Sequence, residues 1–413
     1  MRLQSVITPS LFVGIFCIIG CSKNDTTTII QSSTTTVTTP TSTTIDPYAA
    51  IKLAFGSSID PNNLENYANQ GQPAYILKNN LGANTITDKT ATLGRVLFYD
   101  KQLSINNTIS CANCHQQKFA FGDTAVVSAG VEGGLTIRHS MRLINTRFAN
   151  EAKFFWNERA ANLNSQTTMP IQDHLEMGFS GENGRGNFAN LLSKLSAIGY
   201  YKELFKFTFG DTLVTENRIQ TALASFISSI QSFDSKYDIG RAQVNNDNQP
   251  FPNYTAVENQ GKNLFITAPV FNATGLRITG GLGCNVCHNA PEFDIDPNTL
   301  NNGITGVANT IGGLDISNTR AASLRDITNA AGAVNTPMMH TGALRSLRAV
   351  INHYNTITPI PRNTNLDPRL RPGGNGQNLN MTEAEIAAVV AFMQTLGGTN
   401  VYVNKKWSNP FLN

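Results

Sequence analysis

The amino-acid sequence predicts a mainly α-helical protein built from two similar units in tandem. Helical periodicity is clear over residues 215–238, whereas the alternating pattern of strands is sparse along the chain. Residues 93–98, Leu-Gly-Arg-Val-Leu-Phe, resemble residues 260–265, Gln-Gly-Lys-Asn-Leu-Phe, and the same cysteine motif follows each segment. This repeat favours two tandem units over a single larger fold. The apolar stripe of the periodic segment consists of Ile219, Leu223, Phe226, Ile227, Ile230 and Phe233.

Capping and turn signals predict further helices and a boundary between the units. Residues 243–254 are rich in Asn and Pro, which is typical of a linker. Thr255 and Glu258 then form a capping-box pattern at the start of a helix. Thr382 and Glu385 repeat the pattern ahead of the last helix, which the glycines at 397 and 398 should end. We therefore predict domains over residues 48–245 and 255–413.

The first 47 residues are predicted to form an export signal and a tether. The apolar stretch over residues 11–20 is too short to span a membrane. Residues 18–21, Ile-Ile-Gly-Cys, resemble a bacterial lipoprotein cleavage site, so we expect a signal peptide over residues 1–21 and lipidation of Cys21. A plain secretory signal is the alternative, but it would leave an odd thiol. The Thr- and Ser-rich residues 22–47 are predicted to be a flexible tether.

The charge of the chain does not suggest a nucleic-acid partner. The formal net charge is only +3, and charged residues make up 14% of the sequence. No run of basic residues is present, as a nucleic-acid-binding surface would require. We expect an exported protein on the periplasmic side, anchored to a membrane only through the lipid on Cys21.

Two complete Cys-x-x-Cys-His motifs predict two covalently bound c-type haems. Their residues are Cys111, Cys114 and His115, and Cys284, Cys287 and His288. Two thiols three positions apart can bond the two vinyl groups of one porphyrin, while the adjacent imidazole reaches the iron. A zinc site would need the two cysteine pairs to converge, and a dithiol redox site gives no reason for two histidines. We therefore expect two cytochrome c-like domains, with His115 and His288 as iron ligands.

Beyond these motifs the chain resembles the bacterial di-haem cytochrome c peroxidase family, which includes the di-haem enzyme that matures methylamine dehydrogenase. The resemblance runs from about residue 93 to residue 398. It is carried by residues 93–104, 155–161, 170–171, 175–177, 323–326 and 337–342. In this family the N-terminal haem reacts with hydrogen peroxide, and the C-terminal haem relays or stores electrons.

The resemblance implies three catalytic residues. Glu176 stands at the position of the family's catalytic carboxylate, and burial near a haem would raise its pKa and suit it to proton transfer. Gln166 matches an amide that orders the peroxide pocket. Trp156 matches a tryptophan that lies between the two haems. Without the surrounding motif, Glu176 and Gln166 would be ordinary surface residues, and Trp156 can also be a core residue.

The chain departs from the family at the first haem. Many members place a sixth iron ligand, a His, where this sequence has Val131. We therefore expect the first iron to be five-coordinate at rest and to need no reductive activation. His139 is an alternative ligand, although it aligns with a family residue that helps to bind calcium between the domains.

A second departure lies at the C-terminal haem, where the peroxidases use a Met and this chain has Tyr354. A phenolate ligand would lower the haem potential, so the second haem would store an oxidising equivalent. Met338 or Met339 as the ligand, with Tyr354 merely packed nearby, is the alternative. Arg325 matches a family arginine near the second haem, where it would pair with a propionate; a surface salt bridge is the other interpretation.

The family also implies Ca²⁺ between the domains. However, His139 and Asn335 replace two residues that usually supply this site, and the Pro337 carbonyl alone would not hold an ion, since calcium takes six or more oxygen ligands.

The expected function is reduction of hydrogen peroxide to water with electrons from a small cytochrome c or another periplasmic donor. One alternative is an oxidase that uses a stored high-valent di-haem state to oxidise a partner protein, as the methylamine dehydrogenase maturation enzyme does. A non-catalytic di-haem electron carrier is a third, which the missing ligand at Val131 disfavours. A homodimer is compatible with each.

Overall fold

Helices supply most of the regular structure, as predicted. The computed structural model describes residues 46–82, 84–295, 298–335 and 337–411. The helices of the first half are α1 (Ala49–Phe55), α2 (Asp88–Tyr99), α3 (Cys111–Cys114), α4 (Leu163–Gln172), α5 (Phe188–Ala197), α6 (Gly199–Phe209), α7 (Glu216–Ser229) and α8 (Lys236–Arg241). Those of the second half are α9 (Ala256–Ile266), α10 (Leu347–Asn355), α11 (Glu383–Gln394) and α12 (Asn400–Val403).

The strands are few and short. β1 (Pro269–Phe271) pairs antiparallel with β2 (Arg277–Gly280), with a register shift between Val270 and Phe271. β3 (His288–Asn289) pairs antiparallel with β4 (Asp294–Ile295). Both pairs lie next to the second Cys-x-x-Cys-His motif in the sequence. Long irregular segments connect the helices and carry most of the candidate site residues.

Each half of the chain contains a close helix–helix crossing that a glycine makes possible. A Cβ added at Gly94 of α2 would lie 1.9 Å from the Ala222 carbonyl oxygen of α7. A Cβ added at Gly261 of α9 would lie 1.9 Å from the Ala388 carbonyl oxygen of α11. Only a residue without a side chain permits such an approach. The two glycines occupy equivalent positions in the sequence repeat, so the repeat corresponds to two equivalent helix pairs.

The single helix predicted over residues 215–238 is wrong in its second part. α7 ends at Ser229, and α8 begins only at Lys236. Asn145 supplies the reason: its backbone N–H donates to the Ile230 carbonyl at 3.1 Å, and its side chain exchanges hydrogen bonds with the Ser232 backbone at 3.1 and 2.8 Å. These partners replace the hydrogen bonds of a continuing helix.

Both predicted capping boxes are confirmed. The Glu258 N–H donates to Thr255 Oγ1 at 3.2 Å, and the Thr255 N–H donates back to Glu258 Oε2 at 2.7 Å at the start of α9. At the start of α11 the Glu385 N–H donates to Thr382 Oγ1 at 3.2 Å, and the Thr382 N–H donates back to Glu385 Oε2 at 2.9 Å. α11 ends at Gln394, three residues before the first of the two glycines predicted to end it, and the short helix α12 follows.

The buried apolar residues form two clusters. The first extends from Ile51 to Ile230 and also takes in Val401 and Trp407 near the end of the chain. The second extends from Tyr237 to Leu396. Both clusters belong to one compact unit, Asp46–Asn413, so the division into domains at residues 246–254 stays a prediction.

The predicted signal peptide and the lipidated Cys21 lie outside the described residues, as does almost all of the tether. Among the helices that the structure describes, none is long and apolar enough to cross a membrane.

Candidate functional site

The first Cys-x-x-Cys-His motif begins with a short helix that orients its histidine. α3 places Cys111 and Cys114 one turn apart, and the Ser110 N–H donates to Asn113 Oδ1 at 2.9 Å at its start. The His115 N–H donates to the Cys111 carbonyl at 2.9 Å. His115 Nδ1 lies 3.1 Å from the Phe121 carbonyl oxygen, which leaves Nε2 as the atom that can ligate iron.

The protonation states of the two thiols and the imidazole in this motif are compatible with haem binding. Burial raises the pKa of the Cys111 thiol to about 12 and that of Cys114 to about 11. Burial also lowers the pKa of His115, so the imidazole is neutral, which is the form that ligates a metal. Two thiols and a neutral imidazole within five residues suit covalent haem attachment.

The second motif has the same residues on a different local structure. Cys284 begins a 3₁₀ turn (Cys284–Val286), preceded by Gly283 with a φ of 68°. His288 lies on β3, and its Nδ1 atom is buried without a hydrogen-bond partner among the described residues. Burial lowers the pKa of His288 to about 4. Buried polar atoms normally have a partner, and a bound haem would supply the missing surroundings of this neutral imidazole.

The backbone of Glu176 is hydrogen-bonded to the 3₁₀ turn Val131–Gly133, which we call the Val131 turn. The Val131 N–H donates to the Glu176 carbonyl at 2.9 Å. A Cβ added at Gly130 would lie 1.9 Å from the Leu175 carbonyl oxygen, so the two segments touch along their backbones. The Asp173 carboxylate accepts from the Leu175 and Glu176 N–H groups at 2.8 and 3.1 Å and fixes the turn before Glu176.

The carboxyl of Glu176 is half-buried, and this environment raises its pKa to about 7. Desolvation is the largest cause; the negative charge of Asp173 raises the pKa further, and the positive charge of Arg159 opposes the rise. The Glu176 charge in turn raises the pKa of Cys111 and of Cys114. The carboxyl therefore lies close to the first haem attachment point, where a group that titrates near neutral pH can exchange protons.

Gln166 lies on α4, half-buried and one turn before Pro170. The Pro170 carbonyl accepts from the Met177 N–H at 3.3 Å, which joins α4 to the segment that carries Glu176. Within the described residues no hydrogen bond joins the Gln166 side chain to Glu176. The structure thus places Gln166 on a neighbouring element, and its role in the pocket stays a prediction.

Trp156 lies where segments from both halves of the chain meet. Its indole Nε1–H donates to the His139 carbonyl at 2.6 Å, and its ring centroid is 6.2 Å from that of His340. The Arg320 N–H donates to the Trp156 carbonyl at 2.7 Å. The His139 N–H donates to the His340 carbonyl at 2.8 Å, so the indole sits beside a direct link between the two segments.

His139 and Val131, the two residues considered opposite the first iron, are both buried. His139 Nδ1 lies 3.0 Å from the Ala125 carbonyl oxygen, and burial lowers the pKa of the ring to about 4. Val131 has no atom that can ligate iron. The Val131 side chain packs closely against Gly178: a Cβ added at that glycine would lie only 2.9 Å from Val131 Cγ2.

Tyr354 and Met339, the two competing ligands of the second haem, approach one amide. Asn302 Nδ2 lies 3.5 Å from the Tyr354 hydroxyl and 3.7 Å from the Met339 sulfur. Burial raises the pKa of Tyr354, and the negative charges of Cys287 and Cys284 raise it further, which places the phenol near the second motif. Met338 instead packs in the second hydrophobic cluster. Asn302 is a site residue that the sequence analysis missed, since an Asn-Asn-Gly turn carries no ligand signal.

Arg325 is fully buried and forms an ion pair, though not on the surface. Its Nη1 donates to both carboxylate oxygens of Asp238 at 2.7 and 2.8 Å, and its Nη2 donates to the Pro291 carbonyl at 2.6 Å. Its Nε is buried without a partner among the described residues. Nε is therefore the atom that a haem propionate would have to reach, and this role stays a prediction.

The described residues contain no group of three or more His, Cys, Asp or Glu side chains that would hold a metal ion. The Asn335 side chain donates to the Asp326 carbonyl and to the Tyr402 hydroxyl, both at 2.8 Å. The side chain of Asn335 and the ring nitrogen of His139 thus have protein partners of their own. These contacts supply no argument for calcium.

Comparison with known proteins finds similarity to the family that the sequence motifs resemble. A sequence profile of the di-haem cytochrome c peroxidases matches residues 88–246. The methylamine utilization protein MauG of Methylophilus methylotrophus is 27% identical over 322 residues, which are 76% of this chain and 84% of that protein. The cytochrome c551 peroxidase of Nitrosomonas europaea is 27% identical over 319 residues, with 75% of this chain and 80% of that protein covered.

Solved structures show a similar fold. The crystal structure of a MauG-like protein associated with microbial copper homeostasis matches with a TM-score of 0.63 at 26% identity, covering 83% of this chain and 99% of that one. The diheme peroxidase BthA of Burkholderia thailandensis shares the fold, with a TM-score of 0.56 at 21% identity and coverage of 82% and 94%. The chain is therefore similar to the di-haem cytochrome c peroxidases, both in the sequence of residues 88–246 and in fold.

Proposed function

We propose that this protein reduces hydrogen peroxide to water, taking two electrons from a small cytochrome c or a similar donor. Two tandem cytochrome c-like domains would each hold one covalent haem c, at Cys111, Cys114 and His115 and at Cys284, Cys287 and His288. The bound haems would supply the iron redox chemistry. The side chains around them would bind peroxide, move its protons and exclude competing ligands.

The observation that carries the proposal is the placement of Glu176. Its carboxyl lies near the first haem attachment point, and its pKa is about 7. Cleavage of the O–O bond requires a proton to move from one peroxide oxygen to the other, so that the departing oxygen leaves as water. A group with a pKa near the working pH can accept the first proton and return it. Gln166 would assist by orienting the peroxide.

The environment of Val131 supports an open iron position at the first haem. A valine cannot bind iron, and the Val131 turn is fastened to the backbone of Glu176. His139, the alternative ligand, has one ring nitrogen at the Ala125 carbonyl. An open position favours an enzyme over an electron carrier, because a carrier needs no vacant site for substrate.

Trp156 would connect the two haems. Its indole is oxidisable, and it contacts the His139 and His340 segments at once. Electrons from the donor would enter at the second haem, and the indole would shorten the gap that they cross to the first.

Steady-state turnover of hydrogen peroxide with a reduced small cytochrome c tests the proposal. We expect Glu176→Gln to lower kcat by about 10²–10⁴-fold, since the amide cannot accept the proton. Glu182→Gln, at an exposed carboxylate six residues later, is the matched control and should leave turnover unchanged. Equal turnover in wild type and Glu176→Gln would refute the role of Glu176.

A second candidate function is oxidation of a partner protein at a distance. It is favoured by Tyr354, whose hydroxyl lies at Asn302 near the second motif. A phenolate ligand would lower the potential of the second haem and help it to hold an oxidising equivalent. In that case peroxide-treated protein should remain oxidised for minutes while turnover with cytochrome c is undetectable.

Export and lipid anchoring at Cys21 are part of the proposal. Covalent attachment of c-type haem takes place outside the cytoplasm, which agrees with the sequence of the first 21 residues. Labelled palmitate should be incorporated into the wild-type protein and not into Cys21→Ala. Label in both proteins, or in neither, would argue against the anchor.

A further inference from the structure

We propose that Arg185 is a positioning residue for Glu176, because it fastens the Val131 turn and the Glu176 segment to each other. The inference rests on the proposed function, since it gives Arg185 a part in the same peroxide site. Arg185 would act through the backbone that carries Glu176 and would touch neither substrate nor haem.

The Arg185 guanidinium bridges the two segments directly. Its Nη2 donates to Glu132 Oε2 at 2.5 Å, on the Val131 turn. Its Nη1 donates to the His174 carbonyl at 2.5 Å, two residues before Glu176. The Arg185 side chain is 16% exposed, whereas that of Glu132 is 55% exposed. The planar fork of an arginine suits two acceptors at once, which a lysine cannot match.

The Val131 turn needs such a fastening because its backbone is strained. Glu132 has a φ of 54°, in the left-handed region that non-glycine residues rarely adopt. Conformations of this kind persist only where surrounding contacts hold them, and they are common at functional sites. The Arg185 ion pair holds the side chain of that same residue.

The side chains of Arg185 and Val131 both lie beside Gly178. A Cβ added at Gly178 would lie 2.9 Å from Val131 Cγ2 and 3.2 Å from Arg185 Nη1. Gly178 itself has a φ of 85° and lies two residues after Glu176. Arg185 thus donates to the His174 carbonyl before Glu176, and its Nη1 also borders the space beside Gly178 after Glu176.

The charge of Arg185 is not what sets the acidity of Glu176. The charges that shift the pKa of Glu176 are those of Asp173 and Arg159, and desolvation is the largest cause. Loss of Arg185 would therefore act by loosening the turn and admitting water. Hydration would return the pKa of Glu176 toward 4.5, its usual value.

Arg185→Met in the full haem-loaded protein tests the inference against Arg218→Met. Arg218 is a matched control because it also bridges a carboxylate and a backbone carbonyl. It pairs with Asp211 at 2.5 Å and donates to the Leu213 carbonyl at 2.7 Å. The side chain of Arg218 is 21% exposed and that of Asp211 is 58% exposed. Two readouts are measured, amide hydrogen exchange of residues 130–135 and the pH profile of kcat/KM for peroxide.

We expect Arg185→Met to speed exchange of residues 130–135 by about tenfold or more, because the turn opens more often. The value of kcat/KM should fall by about 10–100-fold, as misplacement of a catalytic group by about 1 Å produces. The acid limb of the pH profile should move to lower pH. Arg185→Lys should restore part of both effects, and Arg218→Met should show neither.

The outcomes separate the inference from the proposed function. If Arg185→Met matches Arg218→Met in exchange and in pH profile, the inference is wrong even where wild type turns over peroxide. If wild type itself lacks turnover, the proposed function fails, and the exchange data still decide whether Arg185 holds the turn. Should Arg185→Met fail to fold, Glu132→Gln removes only the ion pair; unchanged exchange in that variant would overturn the inference.

Discussion

Replacing Glu176 by glutamine should stabilise the protein at alkaline pH while it lowers turnover. The folded environment raises the pKa of this carboxyl from its usual 4.5 to about 7. At ~1.4 kcal/mol for each pH unit, that rise corresponds to about 3 kcal/mol of folding free energy. A group that serves catalysis often reduces stability in this way.

The direction follows from proton binding. Between pH 4.5 and about 7 the folded protein keeps a proton on Glu176 that the unfolded chain releases. The folding free energy of wild type therefore weakens as the pH rises through this window, and the full loss is present above pH 7. Glutamine is a neutral isostere of the protonated acid, so the variant escapes the loss. Its advantage should be near zero at pH 4 and up to about 3 kcal/mol at pH 8.

Urea denaturation of both haem-loaded proteins at pH 4, 6 and 8 measures this difference. Glu182→Gln is again the control, because its carboxylate is exposed. A constant difference between wild type and Glu176→Gln across the three pH values would refute the claim that burial raises the pKa of Glu176.

Three further perturbations test other parts of the structure. Gly94→Ala should destabilise the fold by about 1–3 kcal/mol in urea denaturation, because its Cβ would meet a backbone carbonyl at 1.9 Å, whereas Gly71→Ala, with open space around it, should be tolerated. Tyr354→Phe should shift the spectrum and potential of the second haem only; a shift in Met339→Leu with none in Tyr354→Phe would make Met339 the ligand. Arg159→Gln should move the acid limb of the peroxide pH profile upward, since the Arg159 charge lowers the pKa of Glu176, and a downward move would contradict that electrostatic role.

Local signals predicted local structure well. The capping boxes at Thr255 and Thr382 are made by residues three apart, so the sequence alone determines them. The repeat around Gly94 and Gly261 likewise appears as two equivalent helix crossings. The prediction failed where a distant residue decides the outcome: Asn145 ends α7 from 85 positions upstream of Ile230.

In the candidate site, too, local patterns could be predicted and long-range contacts could not. Motif spacing was enough to predict the haem-attachment residues, because these follow a fixed local pattern, whereas Glu176 was predicted from the resemblance to the peroxidase family. The surroundings of Glu176 depend on contacts between segments far apart in the chain, such as Arg185 with Glu132. The approach of Asn302 to both Tyr354 and Met339 is also long-range, and no local pattern announces it.

The open iron position at the first haem is the central claim, and the electron paramagnetic resonance spectrum of the resting ferric protein tests it most directly. With Val131 in place of a ligand, we expect one high-spin haem and one low-spin haem in equal amounts. Two low-spin signals would show that a side chain such as His139 occupies the first iron, and would contradict peroxide binding at rest.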